Sequence, residues 1–242
     1  MDESPDALAA AGSLPRTLDV ARPSEHRRIR LIGEILVVFV VLPLVVTFLV
    51  YGLRWPLFVV LPPVLAAVIA MLVLDPSFRV RRELRSGLPA RELIAIVGLF
   101  AVIALLVAGF MASEMPQRFL AFPRARPRTW AAVMVLYPLL SVAAQELVYR
   151  TFFFHRYGPL FGARRGLAIL ANGALFALAH VMFYNPVALG GTFLGGCLFA
   201  WRYERTRSLW AVVIEHTLYG WLIFTVGLGG YFFTGIANPA LR

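Results

Sequence analysis

Three ionisable side chains stand inside long apolar runs of this sequence, where a charge is costly. Glu146 lies in the run SVAAQELVYRTFFFHR, His180 lies near the end of the next run, and His216 lies in the last one. Ionisable groups at membrane depth usually face the interior of a helix bundle and mark a functional site or an ion pathway. We therefore take Glu146, His180 and His216 as candidate catalytic residues.

A carboxylate and two imidazoles support two chemistries. In one, Glu146 draws a proton from a water molecule that attacks a carbonyl, and the histidines stabilise the oxyanion. In the other, the three side chains hold a zinc ion whose bound water attacks. Arg150 follows Glu146 by four positions, so the two share a helix face and the cation favours the charged carboxylate. A purely structural ion pair, with histidines that only hydrogen-bond between helices, is the alternative without chemistry.

The composition requires membrane helices to position these residues. Hydrophobic residues make up 60% of the 242 residues and charged residues only 15%. Only helices and closed barrels satisfy the backbone in lipid, and the alternating segments of a barrel are not visible. The sequence therefore predicts an all-α, polytopic transmembrane bundle of about seven to eight spans.

The basic residues are best explained by topology. The net charge of +10 comes from arginine alone, since the sequence contains no lysine. The arginines flank the apolar runs, where they anchor span ends and set orientation, which argues against a nucleic-acid-binding role. They favour a cytoplasmic amino terminus, and we expect a bacterial plasma membrane. A metal cluster of cysteines is excluded because Cys197 is the only cysteine.

Three regions follow from this pattern. We predict a disordered cytoplasmic tail (1–29), N-terminal transmembrane helices (30–128) and a core of catalytic helices (129–235). The predicted spans are 31–52, 55–74, 93–112, 129–157, 166–183, 187–201 and 209–233. At 1.5 Å per helical residue, the three candidate residues lie roughly 14 to 22 Å from the nearest basic turns, so they can meet in one cavity. Glu34, His155 and Glu215 lie nearer the span ends, where they can reach the membrane surface.

Three short motifs resemble those of the CPBP family of intramembrane endopeptidases, the CAAX protease and bacteriocin-processing (Abi) proteins. The motifs are QELVYR (145–150) in place of EExxxR, FALAH (176–180) as FxxxH, and HTLYG (216–220) in place of a histidine followed four residues later by asparagine or a similar small polar residue. They stand in the family's order, and the resemblance covers about Thr129–Gly230.

The resemblance implies cleavage of a peptide bond in a membrane-embedded or membrane-anchored substrate. Glu146 would activate water, His180 and His216 would stabilise the oxyanion, and Gln145 and Arg150 would support them. A metal-free mechanism is favoured, with zinc at the same three side chains as the minority alternative.

Two positions depart from the motifs. Gln145 stands in place of the first glutamate, and an amide cannot take a proton from water. Gly220 stands where the family has its second oxyanion donor; Asn172, Asn185 and Tyr219 are candidates to replace it. The alternative function is therefore a catalytically impaired member that acts as a membrane immunity or partner-binding protein. A proton-coupled transporter ranks last, because the chain lacks two halves of matched length.

Overall fold

The computed structural model describes residues 23–79, 83 and 85–232. Within these residues the chain is helical, and the predicted all-α class is confirmed. The helices are α1 Glu25–Tyr51, α2 Leu57–Val73, α3 Ala90–Glu114, α4 Ala121–Ala125, α5 Pro127–Phe161, α6 Arg165–Ala179, α7 Pro186–Thr206 and α8 Leu209–Val226. Short 3₁₀ turns, Val181–Phe183 and Gly229–Phe232, follow α6 and α8.

The helices are those of an integral membrane protein. In the part of the chain that the structure describes, five helices are long and apolar enough to cross a membrane: α1, α3, α5, α6 with its 3₁₀ turn, and α8. The runs predicted as the second and sixth spans form α2 and α7, which are not among the five. The last run ends as a helix at Val226, because Gly227 takes the left-handed conformation with φ 102°.

The first helix begins earlier than predicted. Residues 1–22 of the predicted tail lie outside the described residues, and α1 starts at Glu25, before the predicted end of the tail at residue 29. The Arg28 N–H donates to Ser24 O at 2.8 Å, and Glu25 places a negative charge in the first turn. A negative charge there complements the helix dipole, so the polar residues before the apolar run extend the helix.

The helix that carries Glu146 is continuous but irregular. In α5 the π-helical segments Pro138–Val142 and Leu147–Phe152 flank a single α-helical turn, Ala143–Glu146. Pro138 has no N–H, so the carbonyl of Met134 loses its usual partner four residues on. Trp221 of α8 replaces that partner, with its Nε1 donating to Met134 O at 2.8 Å. π-Helical insertions occur often at functional sites, and here they surround the candidate carboxylate.

Close packing positions the helices around α5. A Cβ atom at Gly173 would lie 2.4 Å from Cys197 Sγ, so α6 and α7 approach at a distance that only glycine permits. Phe39, in a π-helical segment of α1, packs against four aromatic rings of α5 at centroid distances of 5.3 to 6.4 Å. Helices α5 to α8, with α1 on one side, thus form the framework of the candidate site.

Candidate active site

Glu146 and His216 meet in the interior. Oε1 of Glu146 lies 2.8 Å from Nδ1 of His216, although the two residues are 70 positions apart. Glu146 is fully buried and His216 is 7% exposed. A carboxylate oxygen can only accept from this nitrogen, so the contact makes Nδ1 the protonated nitrogen of His216. Two of the three predicted candidates therefore form one hydrogen-bonded pair.

Arg150 compensates the charge of Glu146 without using all of its hydrogen-bonding capacity. Its Nε lies 3.1 Å from Oε2 of Glu146, and both side chains are fully buried. Its Nη1 donates to Asn172 Oδ1, and Asn172 in turn donates to Tyr149 O at 2.6 Å. Nε and Nη2 of Arg150 and Oε2 of Glu146 form no hydrogen bond of good geometry with the described residues. We refer to Glu146, Arg150, Asn172 and His216 as the Glu146 cluster.

The second nitrogen of His216 points to a residue that the motifs do not contain. Nε2 of His216 lies 3.0 Å from the hydroxyl of Tyr137, on α5. The imidazole also stacks on Phe199 of α7, with ring centroids 4.7 Å apart and an interplanar angle of 19°. The ring of His216 is thus fixed at both nitrogens and on one face.

His180 lies beside this pair without bonding to it. Its Nδ1 is 2.7 Å from Phe176 O, one helical turn earlier, and its ring packs on the ring of Phe176 at 4.6 Å. Phe176 also contacts His216, with ring centroids 5.8 Å apart. Among the described contacts no hydrogen bond joins His180 to Glu146 or His216. Both imidazoles therefore contact the ring of Phe176.

Gln145 is hydrogen-bonded within its own helix. Its amide nitrogen donates to Ser141 Oγ at 2.7 Å, one turn earlier on α5. Its Oε1 is buried without a hydrogen-bond partner among the described residues. The amide therefore leaves one acceptor available near the Glu146 cluster.

Two of the three replacement donors expected from the sequence are engaged elsewhere. Asn172 bonds Arg150 and the backbone of α5, and the side chain of Asn185 caps the start of α7 by accepting from Ala188 N at 2.8 Å. The hydroxyl of Tyr219 is buried without a hydrogen-bond partner among the described residues. None of the three is hydrogen-bonded to His180 or His216. Tyr137 is the residue that the sequence reasoning missed, and no local signal marked it.

The donor set does not form a metal site in this arrangement. Oε1 of Glu146 and Nδ1 of His216 face each other at 2.8 Å rather than a common ion. Within the described ranges, no three His, Cys, Asp or Glu side chains are grouped to hold a metal. We therefore derive no step through a metal ion.

A second buried set of charges corrects one sequence-based expectation. Glu215 was expected to reach the membrane surface, but it is fully buried. Arg202 donates to both of its oxygens, at 3.0 and 2.9 Å, and also to Glu92 Oε2 at 2.9 Å. Arg205 completes the set by donating to Glu92 Oε1 at 2.9 Å. We refer to Glu92, Arg202, Arg205 and Glu215 as the Arg202 cluster, which ties α3 to α7 and α8.

The part of the chain that matches a known family is the part that contains the Glu146 cluster. Residues 127–222, from the first residue of α5 into α8, match the family model described as type II CAAX prenyl endopeptidase Rce1-like. These residues are similar to that family, and we refer to them as the Rce1-like core. The match confirms the family resemblance predicted from the motifs. No curated protein and no solved structure matches the chain.

The Rce1-like core contains every residue of the Glu146 cluster, and it contains His180 and Tyr137 as well. It supports an intramembrane endopeptidase of the CAAX type as the kind of protein. Helices α1 to α3 lie outside the match, but α3 contributes Glu92 to the Arg202 cluster. The matched core is thus bound by buried charges to helices that precede it.

Proposed function

We propose that the chain is an intramembrane endopeptidase that hydrolyses a peptide bond of a membrane-embedded or membrane-anchored substrate. The observation that carries the proposal is the buried 2.8 Å contact between Glu146 and His216, two motif residues of the Rce1-like core. The proposal places the protein in a bacterial plasma membrane with a cytoplasmic amino terminus, supported by the exposed arginines at the start of α1.

Glu146 and His216 act as one unit in this proposal. Glu146 holds the proton on Nδ1, so neutral His216 presents Nε2 as an acceptor. Nε2 takes a proton from water as the water oxygen adds to the carbonyl carbon, and it later returns that proton to the leaving amine. Such general acid–base catalysis contributes about 10²- to 10⁴-fold in rate.

The contacts favour an indirect role for Glu146. One of its oxygens faces His216 and the other faces Arg150, so both are directed at protein groups. Glu146 is then a positioning residue that fixes the tautomer of His216 and stabilises its charged form. Direct proton abstraction from water by Glu146 stays a prediction from the sequence.

His180 is proposed to lie on the substrate side of the site. Because Phe176 O fixes Nδ1 as the donor, Nε2 of neutral His180 is an acceptor, and it can donate to a carbonyl oxygen only when the ring is protonated. The predicted role of His180 in stabilising the oxyanion therefore requires the imidazolium form.

The test is cleavage of a membrane-anchored fluorogenic peptide by the full chain in liposomes. We expect His216→Ala to lower kcat by at least about 10³-fold, since both base and acid are lost. Glu146→Gln should lower kcat and change the pH profile of kcat/KM, because an amide no longer favours the charged imidazole. Glu34→Gln, which alters a carboxylate bound to Arg156 at 2.6 Å, is the control and should retain activity. Full activity of His216→Ala would overturn the proposal.

A second function, partner binding without hydrolysis, is favoured by one observation. The amide of Gln145 is bonded to Ser141 where the motif has a carboxylate. In this case the purified chain does not cleave peptides, and Glu146→Gln keeps its complexes and cellular phenotype. Gln145→Glu separates the two functions, because an added base raises cleavage only if the remaining machinery is competent.

A further inference from the structure

The phenol of Tyr137 fills the space that a side chain at Gly220 would occupy. A Cβ atom at Gly220 would lie 2.1 Å from Cε1 of Tyr137 and 2.6 Å from its hydroxyl oxygen. Gly220 is one helical turn after His216, on the same face of α8. The phenol and any side chain at position 220 therefore exclude each other, and the phenol fills the space beside His216.

The phenol is held there by contacts from α8. Trp221 donates to Met134 O at 2.8 Å, next to the proline that follows Tyr137. The ring of Phe224 meets that of Tyr137 edge to face, with centroids 5.4 Å apart. The hydroxyl is thus directed at Nε2 of His216, at 3.0 Å, by a fixed backbone and a fixed ring.

Among the described contacts, the hydroxyl of Tyr137 is the side-chain donor that is hydrogen-bonded to Nε2 of the proposed base, His216. Nδ1 of His216 is committed to Glu146 and Nδ1 of His180 to Phe176 O, so both free nitrogens accept when the rings are neutral. One N–H of the Gln145 amide is bonded to Ser141, and the buried hydroxyl of Tyr219 is hydrogen-bonded to neither histidine. The developing negative charge on a substrate carbonyl oxygen requires a donor, and the O–H of Tyr137 is a donor beside Nε2 of His216.

We propose that the hydroxyl of Tyr137, which lies where a side chain at position 220 would be, donates a hydrogen bond to the substrate carbonyl oxygen. This inference rests on the proposed function. In the resting protein the hydroxyl donates to Nε2 of His216. When a water molecule takes its place at Nε2, the water oxygen adds to the carbonyl carbon, the water proton goes to His216, and the carbonyl electron pair moves onto the oxygen. Tyr137 keeps its proton and stabilises that oxyanion until the amine leaves with the proton from His216.

The first experiment compares Tyr137→Phe with Tyr157→Phe in the liposome assay. Loss of one oxyanion donor costs about 10²- to 10³-fold in kcat, so we expect a fall of this size for Tyr137→Phe with little change in KM. Tyr157 is on the same helix and is fully buried, and its hydroxyl has no hydrogen-bond partner among the described residues. The matched variant should keep its kcat. Unchanged kcat in Tyr137→Phe would overturn the inference while leaving the proposed function intact.

Rescue separates a donor from a merely structural phenol. Tyr137→Ala empties the space, and Gly220→Asn in the same chain places an amide donor one turn from His216. We expect the double variant to regain at least about tenfold in kcat over Tyr137→Ala, since one donor is worth more than that. No regain in a folded double variant counts against the donor role.

An NMR measurement without substrate distinguishes a failure of the Tyr137 inference from a failure of the proposed function. The ¹⁵N resonance of His216 Nε2 should shift in Tyr137→Phe but not in Tyr157→Phe, since only the first variant loses a hydrogen bond to that nitrogen. Absence of the shift overturns the inference even if the wild-type chain is active. An inactive wild-type chain refutes the proposed function, and the catalytic role of Tyr137 falls with it, whether or not the shift is seen.

Discussion

The molecule contains two clusters in which a buried arginine pairs with a buried glutamate, and they differ in how fully their hydrogen bonds are satisfied. In the Arg202 cluster, the guanidinium of Arg202 donates through all three nitrogens to two carboxylates, and Arg205 bonds the remaining oxygen of Glu92. In the Glu146 cluster, Arg150 uses one nitrogen for a hydrogen bond of good geometry and leaves two buried nitrogens without one. Oε2 of Glu146 likewise accepts no hydrogen bond of good geometry from the described residues.

Under the proposed function, the difference separates a structural role for the Arg202 cluster from a chemical role for the Glu146 cluster. Bidentate pairing satisfies the buried charges of the Arg202 cluster and fixes α3 against α7 and α8. The Glu146 cluster keeps its charge compensated but ends in the imidazole of His216, which contacts the phenol of Tyr137. Imidazoles can exchange protons, and phenols can donate hydrogen bonds. A buried group without a hydrogen bond is costly, and such costs tend to persist at functional sites.

A large loss of stability is expected from Glu215→Gln. The amide cannot balance the charge of Arg202, which is only 2% exposed and would stay buried beside a single remaining carboxylate. Breaking a buried pair in this way costs about 3 to 5 kcal/mol of unfolding free energy, measurable by chemical denaturation in detergent. Arg205→Leu is the control, because its side chain is 49% exposed and such pairs are worth about 1 kcal/mol or less. Equal losses in both variants would contradict the distinction between buried and exposed pairs.

The same substitution in the Glu146 cluster should cost a similar amount of stability. Glu146→Gln leaves the fully buried Arg150 with Asn172 as an acceptor and the ring faces of Phe176 and Phe199, at 4.9 and 5.7 Å from its Cζ, but without a carboxylate. We expect a loss of about 3 to 5 kcal/mol of unfolding free energy. The two variants should differ in activity: kcat of the folded protein should fall in Glu146→Gln and be retained in Glu215→Gln. An equal fall in kcat in both variants would show that the Glu146 cluster is mainly structural.

The smallest effect on stability is expected at Asp75, which is partly exposed. Partial burial raises the pKa of Asp75, but two hydrogen bonds from Ser77, at 2.9 and 2.6 Å, and the neighbouring His155 outweigh it and hold the pKa below its usual range. A carboxyl with a depressed pKa stabilises the fold above the unfolded value of about 3.9, and this contribution is lost as pH falls through the folded value.

Asp75→Asn should therefore cost no more than about 1 kcal/mol at neutral pH. The difference from wild type should vanish when unfolding is measured below the folded pKa of Asp75. A cost that persists in acid would mean that the side chain acts through packing or hydrogen bonding rather than through its charge.

Local patterns were sufficient for the helices and for part of the site. Long apolar runs bounded by arginine predicted the helices, because only a helix satisfies its own backbone in lipid. The spacing of the motifs selected Glu146 and His216, and these residues are in contact. The same reasoning misjudged Glu215, since distance from the end of a run says nothing about a buried arginine on another helix.

The sequence by itself determined an all-helical membrane protein, its Rce1-like motifs and the types of group that could react. The tertiary structure decided which of those groups meet: His216 with Glu146, Glu215 with Arg202, and His180 with Phe176 rather than with the carboxylate. It also decided that Tyr137 fills the space at Gly220, 83 positions further along the chain. The physical reason is that periodicity fixes which residues share a face of one helix, whereas packing between helices fixes which faces touch.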